Sequence, residues 1–576
     1  MSGSVEPAVG IDLGTTFSVL AHLDSDGKPR TIVNEEGELI TPSAVFFDRD
    51  APIVGREALR AGEAEPHRLA RFAKRDVGQR EFGKSICGRV LPPEVIEALV
   101  LAKLKQDAGL KLGEFRKAVV TVPAYFNEPR RKATQDAGRL AGLDVIDIIN
   151  EPTAAAIAYG WEQRLFAADL TTGVRERVLV YDLGGGTFDV TVMDMEGTEF
   201  RAVAIAGDVF LGGMDWDQRI AGHAADRFRA EHGVELRDLP APWECLMQAA
   251  SEAKQALSAR TETRIPVSWD GKQSQVRLTR AEFETLTGDL VERTRMTCVS
   301  VLREAGVQWS DLTRLLLVGG ATRMPMIQQM LAAESGLQPD RSLSPDEAVA
   351  HGAAIYAGLL LNHSHEAVRR LSVRNVNSHT LGVLGIEPES RLTRRKVMIA
   401  RNTPLPAAVT RKFQTAKAGQ RDVAIPVVEG GTETGEGCTH IGRLVVTDLP
   451  PDLAAGTPVK VVFRYGQDGR LTVQASLPAA GKEAQLTLER ASGMTDDELA
   501  RWSEEMHAGL AIPDAESGPA DGGPSDAGPV QPASWNPAGE GSGQAVVFAG
   551  DEPQRAEVSP DDALAAFLQN AGRKPG

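Results

Sequence analysis

One pattern constrains this chain more than any other, and it occurs twice. Gly10-Ile11-Asp12-Leu13-Gly14-Thr15-Thr16-Phe17 follows an apolar run near the start, and Val180-Tyr181-Asp182-Leu183-Gly184-Gly185-Gly186-Thr187-Phe188-Asp189 repeats its outline 170 positions later. Each reads as a strand ending in Asp, a tight turn of Gly and Thr, and a second strand. Small turn residues let backbone N–H groups approach phosphate oxygens, and an Asp at the strand end can hold a hydrated Mg²⁺. A third glycine turn, Val318-Gly319-Gly320-Ala321-Thr322-Arg323, also leaves an apolar strand. A lone match of this kind is an ordinary glycine turn. Three in order imply duplicated α/β halves that grip one nucleotide between them. No GxxxxGK[ST] and no GxGxxG is present, which argues against a Walker loop and a dinucleotide-binding Rossmann site.

The rest of the chain divides by texture. Up to about residue 361, nearly continuous apolar runs alternate with helical stretches at 130–143, 220–231 and 280–305, as expected for strands covered on both faces. From about 375 to 489 the segments are short and alternating, with turn dipeptides such as Asp468-Gly469, and predict an antiparallel β unit. Pro426 removes a donor from one of those strands, which marks it as an edge or an irregular strand. Residues 508–545 hold 14 Gly or Pro, and no Lys or Arg occurs between Ala508 and Gln554. That composition predicts disorder, followed by one short amphipathic helix candidate at 561–571. The expected divisions are an α/β domain over 8–365, a linker over 366–376, a β-sandwich over 377–493, a helical remnant over 494–507 and a mostly disordered tail over 508–576.

Composition excludes several classes. The 576 residues carry 63 basic against 79 acidic side chains, a net charge of −16. Neither nucleic acid nor an anionic membrane would attract such a surface. Four widely spaced cysteines, Cys87, Cys245, Cys298 and Cys438, show no ligand spacing, so neither a disulfide framework nor a zinc site is expected. No export signal is visible and no apolar run is long enough to span a bilayer, so the expected location is the cytoplasm.

Seven segments together, IDLGTTFSVLA, VTVPAYFNEPRRKATQDAGRLAGL, NEPTAAAIAYG, VYDLGGGTFDVTV, LGGMDWD, LVGGATRMP and SPDEAVAHGAA, resemble the 70-kilodalton heat-shock chaperones of the DnaK type. The resemblance is dense over about 8–361 and looser over about 375–497. It implies a two-lobed, actin-like ATPase domain holding ATP or ADP with Mg²⁺, followed by a β-sandwich that takes unfolded or extended peptides. It also implies a J-domain co-chaperone and a nucleotide exchange factor as partners of a monomer.

By the same resemblance, Asp12 and Asp182 organise the water shell of Mg²⁺, and Lys74 reaches the γ-phosphate. Glu151 and Thr187 lie beside that phosphate, with Asp189 a further polar neighbour. Gly14, Thr15, Thr16, Gly184, Gly185, Gly186, Gly212, Gly213, Gly319 and Gly320 form the phosphate loops. Lys254, Ser258, Arg323 and Asp346 form the adenosine pocket, and Pro123 with Arg131 relays nucleotide state. Val423 and Ile425 match the peptide pocket and Ala416 the arch over it.

Departures from the family pattern matter too. Phe17 stands where Asn is usual, Ser251 where a ribose-contacting Glu is usual, and Met214 where an acid is usual. The segment between Phe82 and Pro92 is short. The usual long helical lid is absent. The linker reads Leu371-Ser372-Val373-Arg374-Asn375-Val376, and burying Arg374 in an apolar seam would strand a charge, so weak coupling between domains is expected. Two other functions are consistent with the same motifs: a nucleotide-sensing scaffold without folding activity, and a small-molecule kinase, which the β unit argues against.

Overall fold

The computed structural model describes residues 7–164, 175–361, 365–467, 469–488, 493–510, 512, 544–549 and 554–555. Among these, two compact units separate: one draws on Met1–Phe126, Ala133–Val373 and Met494–Ser525, the other on Asn127–Lys132, Arg374–Gly493 and Asp526–Gly576.

The first unit carries the duplication that the repeated hairpin predicts. In one sheet, Val9–Asp12 turns back into Phe17–Leu23 and then Pro29–Thr31, while Lys117–Val122 and Asp144–Asn150 add in parallel on its other side. In the other, Arg175–Leu183 turns into Phe188–Glu196 and Glu199–Asp208, and Arg314–Val318 adds in parallel. Both central strands are buried along most of their length, which explains their unbroken apolar reading. Helices Glu151–Glu162 and Ala348–Leu360 pack closely because small residues line their contact. A side chain at Gly352 would lie 1.8 Å from the carbonyl oxygen of Ala154, and one at Gly10 2.1 Å from the nitrogen of Ala354.

The stretch 280–305 is two helices, Arg280–Leu286 and Gly288–Ala305. Thr287 interrupts them by bonding its hydroxyl back to the carbonyl of Phe283 at 2.9 Å. The stretch around 130–143 is helix from Glu128 to Leu140. After the β unit, Asp496–His507 is a helix begun by a reciprocal Thr495–Glu498 capping box. It belongs to the first unit: Trp502, Leu510 and Ile512 join that unit's apolar core, and Arg89 stacks over Trp502 at 5.2 Å. The fully buried Arg68 donates to the carbonyl of Ile512 at 3.0 Å.

Ser372–Arg374 forms an edge strand on Glu199–Asp208, the Ser372 N–H donating to Thr198 at 2.9 Å. The side chain of Arg374 is exposed. The stranded charge anticipated for the linker therefore does not arise, because the strand docks through backbone groups and turns this side chain to water.

The second unit is β throughout its main body. Leu381–Ile386, Thr393–Ile399, Ala407–Gln414, Val423–Gly430, Cys438–Val446, Pro458–Tyr465, Leu471–Leu477 and Lys482–Leu488 pair antiparallel around one apolar core. Pro426 sits in an irregular strand rather than an edge one: pairing with Leu381–Ile386 ends at Val427, and a bulge follows between Val427 and Val428. Three short strands join this sheet from the tail, Gln544–Ala545, Val547–Phe548 and Gln554–Arg555. Composition alone predicts disorder there. The remaining tail, including the helix candidate at 561–571, lies outside the described residues.

Candidate functional site

The two hairpin turns of the first unit face one another. A Cβ on Gly185 would lie 1.8 Å from the hydroxyl of Thr16, and one on Gly186 2.4 Å from Thr15, so both positions must be glycine for the turns to meet. Gly14 is closed off by the carbonyl of Phe17, and its N–H donates to the Ser18 hydroxyl at 3.2 Å. The loop at Gly212 stacks on Gly186, and the N–H groups of Gly213 and Met214 donate to the carbonyls of Gly184 and Gly185 at 2.9 and 2.8 Å. Gly319, at φ +81°, backs onto Leu183 and the Asp182 carboxylate. Thr187 is buried, its carbonyl closing the turn with the N–H of Gly184 at 3.0 Å. The result is a seam of interlocked glycine turns flanked by carboxylates.

Those carboxylates crowd a single ammonium. Lys74, 3% exposed, donates to Glu151 at 2.6 Å, and Glu151 is itself only 7% exposed. The acid opens the helix Glu151–Glu162, where the positive end of the helix favours its charge. Asp12 accepts from the Thr121 hydroxyl at 3.3 Å, and burial with the nearby charge of Glu151 pushes it up to about 7. Asp182 and Asp189 stand opposite each other across their hairpin. Burial and the neighbouring acids Glu151, Asp189 and Asp12 raise Asp182 well above the carboxylate range. Asp189 accepts from the N–H groups of Ala124 and Tyr125 at 2.8 and 3.2 Å, and burial and Glu151 push it up to about 7. Burial alone would lower Lys74, but Glu151 and Asp12 hold it above its ordinary value. Four acids about one ammonium repel each other, which raises the proton affinity of Asp12, Asp182 and Asp189. Among the described residues, no group of three or more acids, histidines or cysteines stands close enough to hold a metal ion directly.

Further along the seam, Lys254 donates to the carbonyl of Gly213 and pairs with Asp217, both at 2.8 Å. Arg323 grips Asp346 through two bonds of 3.1 and 2.7 Å, its side chain half exposed. Gly320 lies against this pair. Ser258 bonds to Lys254 within their own helix. Pro123 falls in the first unit, whereas Arg131 falls in the Asn127–Lys132 segment of the second. In the β unit, Val423 and Ile425 are fully buried and Ala416 half-buried, its N–H held by the Gln420 side chain at 2.9 Å.

Three residues escape a motif reading. Arg75 donates to the carbonyl of Gly186 at 2.9 Å and pairs with Asp215 at 2.5 Å, tying two loops together. Asp215 in turn accepts from the N–H of Gly212 at 2.7 Å and caps the helix Gly213–His232. A basic residue beside Lys74 and an acid three positions after Gly212 are the traces they leave in the sequence. Glu97 leaves none: it is buried in the helix Pro93–Leu112 with one carboxyl oxygen unpartnered.

The duplicated sheets, the facing glycine turns and the carboxylate cluster define a chain of the two-lobed, actin-like class, joined to a β-sheet unit. The comparisons agree. The family model described as Hsp70 protein matches residues 8–517. A Chaperone protein DnaK of Thermus thermophilus is 40% identical over 529 residues, covering 86% of this chain and 83% of its own. The Chaperone protein DnaK of Thermotoga petrophila is 38% identical over 514 residues, covering 88% and 84%. This chain belongs to the Hsp70 family, and its kinship is with the DnaK-type chaperones. Among the described residues, no helix is long and apolar enough to cross a membrane.

Proposed function

We propose that the first unit is a slow Mg²⁺-dependent ATPase, and that its nucleotide state governs capture of unfolded or extended peptide segments by the β unit. The observation that carries this reading is the Lys74–Glu151 pair, buried beside two facing glycine turns and three further acids. When bound, Mg²⁺ supplies charge relief to the phosphates.

The chain's own part is positioning. Backbone N–H groups of Thr15, Thr16, Gly185, Gly186 and Thr187 cradle the phosphates. Gly14, Gly184, Gly212 and Gly213, whose own N–H groups bond within the loops, shape that cradle, and the Gly319–Gly320 turn bounds the end nearer the sugar. Asp12 and Asp182 hold the metal through water. Lys74, kept charged by Glu151 and Asp12, donates to the γ-phosphate and to the attacking water. Glu151 and Thr187 orient that water, and Asp189 holds the Ala124–Tyr125 backbone against the hairpin. Arg323, Asp346, Lys254 and Ser258 bound the adenosine pocket, the planar guanidinium of Arg323 offering a face for the base. Pro123 and Arg131 carry the nucleotide signal, and Val423, Ile425 and Ala416 line the peptide groove. A J-domain protein and an exchange factor would act on a cytoplasmic monomer.

Phosphate release measured with and without an unfolded peptide tests this. Release that rises with peptide supports the reading, and release that peptide leaves unchanged overturns its coupling.

A further inference from the structure

A segment of the tail completes the sheet of the β unit. The tail segment 544–549 threads between the strands Leu381–Ile386 and Ala407–Gln414 and alongside Val423–Gly430. Gln544 and Ala545 pair in parallel with Val423 and Ala424, continuing the ladder at the point where Leu381–Ile386 stops short of Pro426. Val547 then pairs with Ile386 on one side and Gln414 on the other, and Phe548 with Phe413. The N–H of Ile386 donates to the carbonyl of Val546 at 2.9 Å. Further on, Gln554 and Arg555 pair with Thr410 and Val409.

Side chains follow the backbone. Val546 is fully buried and shares one apolar cluster with Val383, Phe413, Val423 and Ile425. The Phe548 ring meets Phe413 edge-on at 6.0 Å, and the Lys396 ammonium lies 5.9 Å from its centre. Gly385 leaves the space they need: a Cβ there would come within 2.6 Å of the Phe548 ring and 2.9 Å of the Val546 carbonyl. An extended segment that adds a strand by main-chain bonds and sinks one β-branched side chain into a pocket is bound as a peptide ligand is bound.

We propose that this tail segment is a tethered pseudo-substrate that occupies the peptide groove in cis, and that it displays the ligand the groove selects. The inference rests on the peptide-binding reading above. The class of ligand is an extended, uncharged segment with a small residue, two β-branched aliphatics and an aromatic in succession, as in Ala545-Val546-Val547-Phe548. A tethered ligand of this kind acts at an effective concentration of about millimolar, so an outside peptide meets a groove that is mostly filled. Its apparent affinity falls by the fraction of time the groove is open.

The test uses the full chain and a fluorescent peptide of sequence GQAVVFAG, residues 543–550. Val546→Asp places a charge where the buried methyls sit and should release the tail without altering the groove. That variant should bind the peptide about tenfold or more tightly than the natural chain, corresponding to a groove occupied by its tail at least about nine-tenths of the time. Val546→Ile should behave as the natural chain does, and natural-chain affinity should not change with protein concentration. Hydrogen exchange at the Ile386 amide should accelerate in Val546→Asp and not in Val546→Ile. Equal peptide affinity in the natural chain and Val546→Asp, or an unchanged Ile386 exchange rate, overturns the inference while leaving peptide binding intact. A concentration-dependent affinity overturns occupancy in cis. Binding by neither protein overturns the peptide-binding reading itself.

Discussion

At the scale of single residues, the site is governed by one buried cation among acids. Lys74→Ala should lower single-turnover phosphate release by about 10²-fold or more, the loss typical of a positioned proton donor or charge. Nucleotide affinity, read by calorimetric titration, should change little, because the remaining phosphate contacts are proposed to come from backbone N–H groups. Unchanged turnover would remove Lys74 from the mechanism. Glu97 gives a second test. Burial pushes its carboxyl up to about 8, with Glu94 adding to the rise and Lys74 opposing it. The folded chain therefore keeps a proton that the unfolded chain releases near 4.5, and stability falls as pH climbs from about 4.5 to about 8. Glu97→Gln should flatten the decline of Tm across that window and raise Tm at pH 8. Parallel pH profiles for the two proteins would contradict this.

At the scale of elements, the segment after the β unit has become part of the first unit. The helix Asp496–His507 buries Trp502, and beyond it Leu510 and Ile512 extend the same core. Arg68 makes part of its bonding to the carbonyl of Ile512, so a chain cut short of that residue removes one of the acceptors of a buried guanidinium that also bonds Phe47 and Glu65. A chain ending after Ile512 should keep the ATP-protected melting transition of the first unit. One ending after Ala508 should lower it by a few degrees, since a 150–250-residue domain loses about 2–4 °C per kcal/mol. Equal transitions would show that Leu510 and Ile512 contribute nothing.

At the scale of the whole molecule, Ser372–Arg374 runs along the edge of Glu199–Asp208, the Ser372 N–H donating to Thr198. With Arg374 exposed, Arg374→Leu should alter the ratio of peptide dissociation rates in ATP and ADP by less than about twofold, or ~0.4 kcal/mol. A larger change would mean that the arginine side chain participates in coupling.

Much of this was legible in the residue order. Repeated Asp-Leu-Gly turns require small side chains and strand-end carboxylates at fixed spacing, and local rules of that kind identify the duplicated sheets and the family. Family resemblance names Lys74 and Glu151 singly, but their pairing and burial beside three other acids, and hence the raised proton affinities of those acids, depend on which elements fold together. Two features were beyond reach of any local pattern. Arg374 looked costly because its exposure depends on which face of an edge strand meets solvent. Residues 544–549 sit in a stretch whose average composition buries little, yet they pair with strands more than 100 positions away in the chain. Sequence by itself determined the fold family and the glycine turns with their strand-end carboxylates, because those rest on contiguous motifs. Only the tertiary structure decided which tail segment joins the β-unit sheet, because strand pairing is a contest among distant segments for the same unpaired backbone groups.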